Sequence, residues 1–436
     1  MPYQPEITLD GQPVEKVTAF LFPKGGNENP KTLLANADKS FVGSYVLGMG
    51  FTFDDSSEEA TPIAEMEQLI EQNPKNQERI FPYIGGSEVN SSPTHAHHRY
   101  VINFGEMSEA EARQWPDLMA IVEEKVKPER LKLNMNTADG RRRAASWWLW
   151  GRYTPALFRA IATCDRVLVI PRVSMKYAPT FVNAHQVMSE QLIVFPDERS
   201  SFFSILASRI HEIWFVFFSS TFGSADAPRY APSDCFETFP FPPNWQTSPI
   251  LEAIGSTYHT YRADLMIRNN EGLTDTYNRF HDPAETSPDI HHLRDLHSQM
   301  DSAVLTAYGW QDLTEGDTLT CGFALDYLDI EPEDLPPAVQ ERIDSGDLFF
   351  ATAAEATSFD NLIRSSANTR KKKLPWRYRW PESLHDEVLA RLLDLNQQRY
   401  EEEVKAGLHS KKKGKKSNPK KSKAQGNDAG EQLDLI

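Results

Sequence analysis

An α+β fold is predicted for this chain, with a domain of mixed strands and helices followed by a mainly helical one. Three observations predict it. Two short β-branched runs, RVLVIPRVS (166–174) and QLIVFP (191–196), close on proline and read as strands. A strongly apolar helix follows at once, SSFFSILASRIHEIWFVFF (200–218). From residue 250 onward helical periodicity takes over. Between the halves, ETFPFPPNWQTSP (237–249) is too rich in proline for helix and reads as an ordered crossing. The boundaries expected are therefore 1–243 for a first domain, 250–405 for a helical domain, and 406–436 for a basic tail.

Each element has its own justification. In 200–218, Phe202, Leu206, Ile210, Ile213, Trp214 and Phe217 recur at helical spacing, Ser200 or Ser201 can cap, and Arg209 and Glu212 mark the polar side. Trp214 is expected in the core. Further on, Ser287 can cap, Pro288 suits a first helical turn, and Asp289 suits the positive helix end. Leu293, Leu296, Met300, Ala303, Val304 and Ala307 form its apolar stripe, which Gly309 ends. Residues 383–404 are again strongly periodic. Beyond Lys405 the composition turns to lysine, glycine and serine with almost nothing to bury, so a disordered tail is expected.

The net charge of −16 is unevenly placed. Residues 411–436 carry eight lysines against Asp428, Glu431 and Asp434, which leaves the remainder near −21. A surface so acidic is a poor bulk match for nucleic acid, so any DNA-binding reading needs a local basic face. Three scattered cysteines (Cys164, Cys235, Cys321) support neither a disulfide framework nor a zinc ribbon. With no apolar run of membrane-spanning length, a cytoplasmic protein away from membranes is expected.

Four patterns bear on chemistry. The stretch PYIGGSEVNSSPTHAHHRYVINF (82–104) gathers Asn90, Ser91, Ser92, Thr94, His95, His97, His98 and Arg99. Alternate histidines of a strand share a face, which admits a metal-dependent nuclease or hydrolase, but a transition-metal site needs three or four ligands and nothing marks the remainder. Gly85 and Gly86 permit a tight turn there. GSYVLGMGF (43–51) has the glycine spacing of a nucleotide or S-adenosylmethionine loop without the acidic residue that would hold a ribose, so its glycines are expected to allow close packing. No Asn/Asp-Pro-Pro-Tyr/Phe tetrapeptide and no G-x-S-x-G elbow occurs. The fourth pattern is basic. Lys125, Lys127, Arg130, Lys132, Arg141, Arg142, Arg143, Arg152, Arg172 and Lys176 fall within about fifty residues, interleaved with Trp147, Trp148, Trp150, Tyr153 and Tyr177. Arginines for phosphate and base edges with aromatic platforms would make a nucleic-acid face; the bland alternative is a solvated helix face over a tryptophan core.

Read together, IFPYIGGSEVNSSPTHAHHRYVINF, WPDLMAIVEEKVKPER, RVLVIPRVS, SRIHEIW and RYAPSDCFETFPFP resemble the target-recognition domain of MmeI-like enzymes. These are type IIL restriction–modification proteins and related adenine-N6 DNA methyltransferases. YRADLMIRNNEGLTDTYNRFHDP and IHHLRDLHSQMDSAVLTAYGW are similar to the helical segment that follows in that family. The resemblance covers roughly residues 5–313. It implies a DNA-reading module whose methyltransferase and nuclease domains lie outside this sequence, which begins about where the methyltransferase would end. No catalytic residue is carried over and no cofactor is expected in this chain; S-adenosylmethionine would belong to a partner methyltransferase domain or subunit. Double-stranded DNA is the expected ligand. Lys125, Lys127, Arg130 and Arg141 to Arg143 are the expected phosphate contacts, and Arg172, Ser174, Lys176 and Tyr177 the expected base readers. The 82–104 stretch is then an ordered polar loop and strand of the same domain. The rival readings are the histidine-based hydrolase and an inactive remnant of a truncated gene.

Overall fold

In the computed structural model the described residues are 8–9, 12–14, 16–20, 28–222, 227–314, 320–325, 335–365 and 374–409. The two proline-closed runs are strands, Arg166–Pro171 and Leu192–Phe195, paired antiparallel with Val194 opposite Val169. With Phe41–Val42 and Thr180–Asn183 on the outside they make a four-stranded antiparallel sheet. Val167 to Ile170 and Leu192 to Phe195 are all buried, so both sheet faces are covered; hence these strands read as continuous apolar runs rather than alternations.

A second four-stranded sheet has the order Thr52–Phe53, Arg99–Ile102, Ile80–Ile84, Val187–Met188, with only the last pair parallel. Its core takes in Phe51, Phe53, Val101, Trp115, Trp147 and Trp150. The indole N–H of Trp150 donates to the Ile102 carbonyl at 2.9 Å and that of Trp148 to Met107 at 2.9 Å. The tryptophans interleaved with the basic run are therefore packing. They are not platforms for bases.

The single helix expected over 200–218 is two, Ser200–Ala207 and Arg209–Phe218, bent by 54° at Ser208. Ser208 is extended (ψ 157), which frees the Arg209 N–H from the first helix; it donates to Asp301 Oδ1 at 2.9 Å. Arg209 is thereby buried instead of marking a polar face, and Phe217 is left 37% exposed. Neither serine caps the first helix with its side chain. Glu252 does so from a neighbouring helix, accepting from the Ser200 N–H at 3.0 Å and the Ser201 N–H at 2.8 Å. Trp214 is fully buried, as expected, with its N–H on Thr238 Oγ1 at 3.2 Å.

The second half is built on helices Pro249–Asn269, Leu273–Phe280, Pro288–Tyr308 and Glu382–Lys405. Gly309 ends the third with a left-handed φ of 81°. The reading missed a small antiparallel sheet, Phe349–Phe350, Gly322–Leu325 and Trp376–Arg379, which has a core of its own. At 237–250 the element type changes but the packing does not break. The largest core runs from Ile84 to Leu393. Gly255 lies so close to helix Ser200–Ala207 that a Cβ there would meet the Ser200 carbonyl oxygen at 2.1 Å. Residues 406–409, placed in the tail by the sequence, make a turn in which His409 Nε2 meets Glu403 Oε2 at 2.7 Å; the rest of that tail lies outside the described residues.

Candidate nucleic-acid interface

The loop leaving strand Arg166–Pro171 is pinned on both sides. The Arg172 N–H donates to the Gln191 carbonyl at 2.7 Å, the Arg172 carbonyl accepts from the Tyr230 N–H at 2.8 Å, and Val173 bridges to Arg229. Arg172 Nη1 donates to the Tyr45 hydroxyl at 2.9 Å. Ser174 Oγ donates to the Lys176 carbonyl at 2.8 Å and accepts from the Lys176 N–H at 3.1 Å, which folds the loop tip into a local turn. The Lys176 side chain faces a 300 Å³ hollow shared with Asp282 and Asp360. Tyr177 departs from the expected role. Its ring packs against Phe215 (5.2 Å) and Tyr230 (6.4 Å), and burial, with Tyr230 beside it, pushes its hydroxyl well above the usual tyrosine range. The residue is half-buried with its hydroxyl inside the protein, so the ring supports the loop from within.

The 82–104 stretch is not a loop followed by a strand. It completes strand Ile80–Ile84, forms the short helix Gly86–Ser91, turns, and enters strand Arg99–Ile102. Glu88, 2% exposed, organises it by accepting from the Gly85 N–H at 2.8 Å, from Arg99 Nε at 2.6 Å and from Arg99 Nη2 at 3.1 Å. Gly85 is needed for close approach: a Cβ there would stand 2.8 Å from Gln191 Oε1 and 2.9 Å from Ser189 Oγ. Ser92 Oγ caps the turn by accepting from the Ala96 N–H at 3.2 Å; Asn90 is half-buried on the helix, while Ser91 and Thr94 are exposed. The three histidines part company. His95, at a left-handed φ of 54°, places Nε2 2.9 Å from Thr180 Oγ1; burial and then Arg262 pull it down to about 4. His97 packs edge-on against Tyr100 at 5.1 Å, and His98 Nδ1 lies 3.4 Å from Glu88. They share no coordination point. Among the described residues the one grouping with metal-ligand spacing is Glu382, His385 and Asp386, at the start of a distant helix.

The turn 189–191 joins the two stretches, and sequence reasoning passed it over. Gln191 binds both, through its carbonyl to the Arg172 N–H and through Oε1 to the Gly86 N–H at 3.0 Å. Glu190 lies between Arg172 and Arg99; burial raises its pKa although both guanidiniums oppose the rise. Tyr45, on the glycine-bearing 43–51 segment, is the other overlooked member. Only the tertiary fold brings these positions to Arg172, so no local pattern could have found them.

The six expected phosphate contacts are all engaged within the protein. Lys125 Nζ donates to the Ala60 carbonyl at 2.7 Å, and Lys127 pairs with Glu123 at 2.6 Å while lying 4.7 Å over Trp147. On helix Ala138–Ala145 consecutive arginines point about 100° apart. Arg141 and Arg142 face solvent, bonding the Met135 carbonyl at 2.8 Å and Asp139 at 2.5 Å, whereas Arg143 is turned inward and pairs with Asp139 at 3.3 Å. Arg130 is 2% exposed, its Nη2 donating to the Leu47 carbonyl at 2.7 Å, so it lies beneath the surface and not on it.

Residues 29–243 match the family model described as MmeI, target recognition domain. Among solved structures the chain is similar to the type IIL restriction–modification enzyme MmeI, solved in complex with DNA, at 19% identity with a TM-score of 0.52. That likeness covers 79% of this chain and 39% of the MmeI chain, so this chain spans well under half of the enzyme it matches. No curated protein matches the chain. Residues 29–243 are thus the part of the chain that carries an MmeI-type target-recognition domain.

Proposed function

We propose that the chain reads DNA sequence for a restriction–modification system, with methyl transfer to adenine N6 carried out by a methyltransferase domain or subunit beside it that binds S-adenosylmethionine. The family match over 29–243 is the observation that carries this reading. Double-stranded DNA is the ligand. The loop from Arg172 to Lys176 is its base reader, because it leaves a strand whose end is fixed by Gln191, Tyr45 and Tyr230. A rigid support and a short displayed tip are what groove readout needs, and arginine or lysine on guanine acceptors is the commonest specific contact. Arg141 and Arg142, exposed on one helix, take the phosphates.

Binding titrations on preferred and scrambled duplexes at several salt concentrations test the division of labour. Arg141→Ala is expected to weaken binding to every duplex alike and to lower the salt slope by about one unit. Arg172→Ala or Lys176→Ala is expected to cost about 1–3 kcal/mol on the preferred site only, relaxing preference at one base position. Equal losses on both duplexes from both loop variants would move the readout elsewhere, with Arg99 and the 82–104 stretch next in line.

A further inference from the structure

Arg130 is the anomaly of the basic run. Four arginines are buried in the described residues, and three are well supplied with acceptors. Arg209 meets Asp301 at 2.5 Å, Arg262 meets the Tyr277 hydroxyl and the Pro179 carbonyl, and Arg294 reaches three carbonyls. Arg130 has only the Val46 and Leu47 carbonyls, both on Nη2, and its Nε and Nη1 find no partner among the described residues. Among the described residues no carboxylate forms an ion pair with it. Burial, with Arg143 and Arg142 close by, pulls its pKa down to about 10. Asp139, which pairs with both of those arginines, opposes the shift only in part, and a buried guanidinium without a hydrogen-bonded anion is costly.

The side chain lines a cavity of about 710 Å³, within the range of small-molecule sites (roughly 300–1,000 Å³). Lys125 and Arg143 line it as well, and Arg143 also leaves Nε unpartnered. One wall is the glycine-bearing loop. There Leu47 takes a left-handed φ of 51°, uncommon for a residue with a side chain, and turns its carbonyl onto Arg130. Gly50 allows that wall to lie against Lys125, since a Cβ would meet the Lys125 Cβ at 2.5 Å. The acidic liners, Glu58, Glu59 and Glu129, are all exposed at the rim, and Glu129 is paired with Lys132 at 2.6 Å.

We propose that this cavity binds a phosphoryl oxyanion, with Arg130 as its buried counter-charge and Lys125 and Arg143 flanking it. The unpartnered N–H groups of Arg130 and Arg143 beside Lys125 suit an oxyanion with several acceptor oxygens better than a monocarboxylate. The phosphoryl group belongs either to a free phosphate or to a strand of DNA, and one experiment separates the two.

Thermal unfolding and calorimetry of the full chain, with inorganic phosphate and with acetate at matched ionic strength, supply the test. Phosphate is expected to raise the melting temperature and acetate to leave it unchanged. Arg130→Met is expected to weaken phosphate binding by about tenfold or more, the scale of a lost charge-assisted contact. If that variant does not fold, the double substitution Glu58→Gln, Glu59→Gln serves instead and is expected to tighten phosphate binding about two- to threefold by removing rim repulsion. No phosphate effect on the unaltered chain, an equal effect of acetate, or phosphate affinity indifferent to all these substitutions would overturn the proposal. Duplex titrations then name the source. A parallel loss of duplex affinity in Arg130→Met assigns the phosphoryl group to DNA, and unchanged duplex affinity assigns it to a free phosphate.

Discussion

Single residues in this chain divide by whether burial alone fixes their role. Trp214 is the simple case, with no exposure and its one polar atom on Thr238. Trp214→Ala should cost about 3–5 kcal/mol in chemical denaturation through lost burial and the cavity left behind. A variant of unchanged stability would show that the residue serves the surface. Its place was legible because Ile210 and Ile213, buried with it, recur beside it at helical spacing. Tyr177 and Arg130 were not legible. Tyrosine and arginine carry an apolar body and a polar end, so pattern alone cannot say which end meets the core. Tyr177 follows Lys176 directly in sequence, yet its ring joins Phe215 and Tyr230 from elements more than thirty residues on. Arg130 was grouped with surface cations because its neighbours in sequence are charged, whereas the Leu47 carbonyl that holds it lies 83 residues away.

At the level of elements, strands Arg166–Pro171 and Leu192–Phe195 were legible from β-branched runs ending on proline, and the long helices from their stripes and end signals. What failed was the join between helices Ser200–Ala207 and Arg209–Phe218, because the apolar stripe runs on through Ser208 while the backbone bends toward Asp301. Capping failed for the same reason. The sequence offered two local serines, and the fold used a carboxylate from another helix. The Ser200 and Ser201 N–H groups hold Glu252 below the usual glutamate pKa range although burial opposes them. A depressed folded-state pKa gives stability that is fully present above the unfolded value and is lost as pH falls through the folded one. Glu252→Gln should therefore cost about 1 kcal/mol near neutral pH, the usual worth of an N-cap. The gap between variant and parent should close below about pH 4 as the parent's carboxylate protonates. A gap independent of pH would mean that packing, not charge at the helix end, is what Glu252 supplies. The third sheet was missed because its strands are two to four residues long, though Trp376, Tyr378 and Trp380 alternating with Arg377 and Arg379 carried a period-two signal.

For the molecule as a whole, the question is whether the recognition domain is a unit or half of one. The largest core is continuous from Ile84 to Leu393, and a buried ionic group is set into it: Arg209 Nη1 lies 2.5 Å from Asp301 Oδ2 and 2.8 Å from His297 Nδ1. Arg209 comes from the first half of the chain, and Asp301 and His297 come from the second. Removing one partner of such a pair strands the other charge in the core, which typically costs about 3–5 kcal/mol. If the halves are separate units, Asp301→Ala should loosen helix Pro288–Tyr308 and leave strand Leu192–Phe195 untouched. A shared core demands the opposite. Amide hydrogen exchange of the Asp301→Ala chain should show strand and helix losing protection by similar free energies, because both open only in the same global event. Loss confined to the helix would mean that the loop after strand Arg166–Pro171, proposed to read DNA, stands on a scaffold able to hold it alone, and that the helical half is an addition to the recognition domain and not a part of its core.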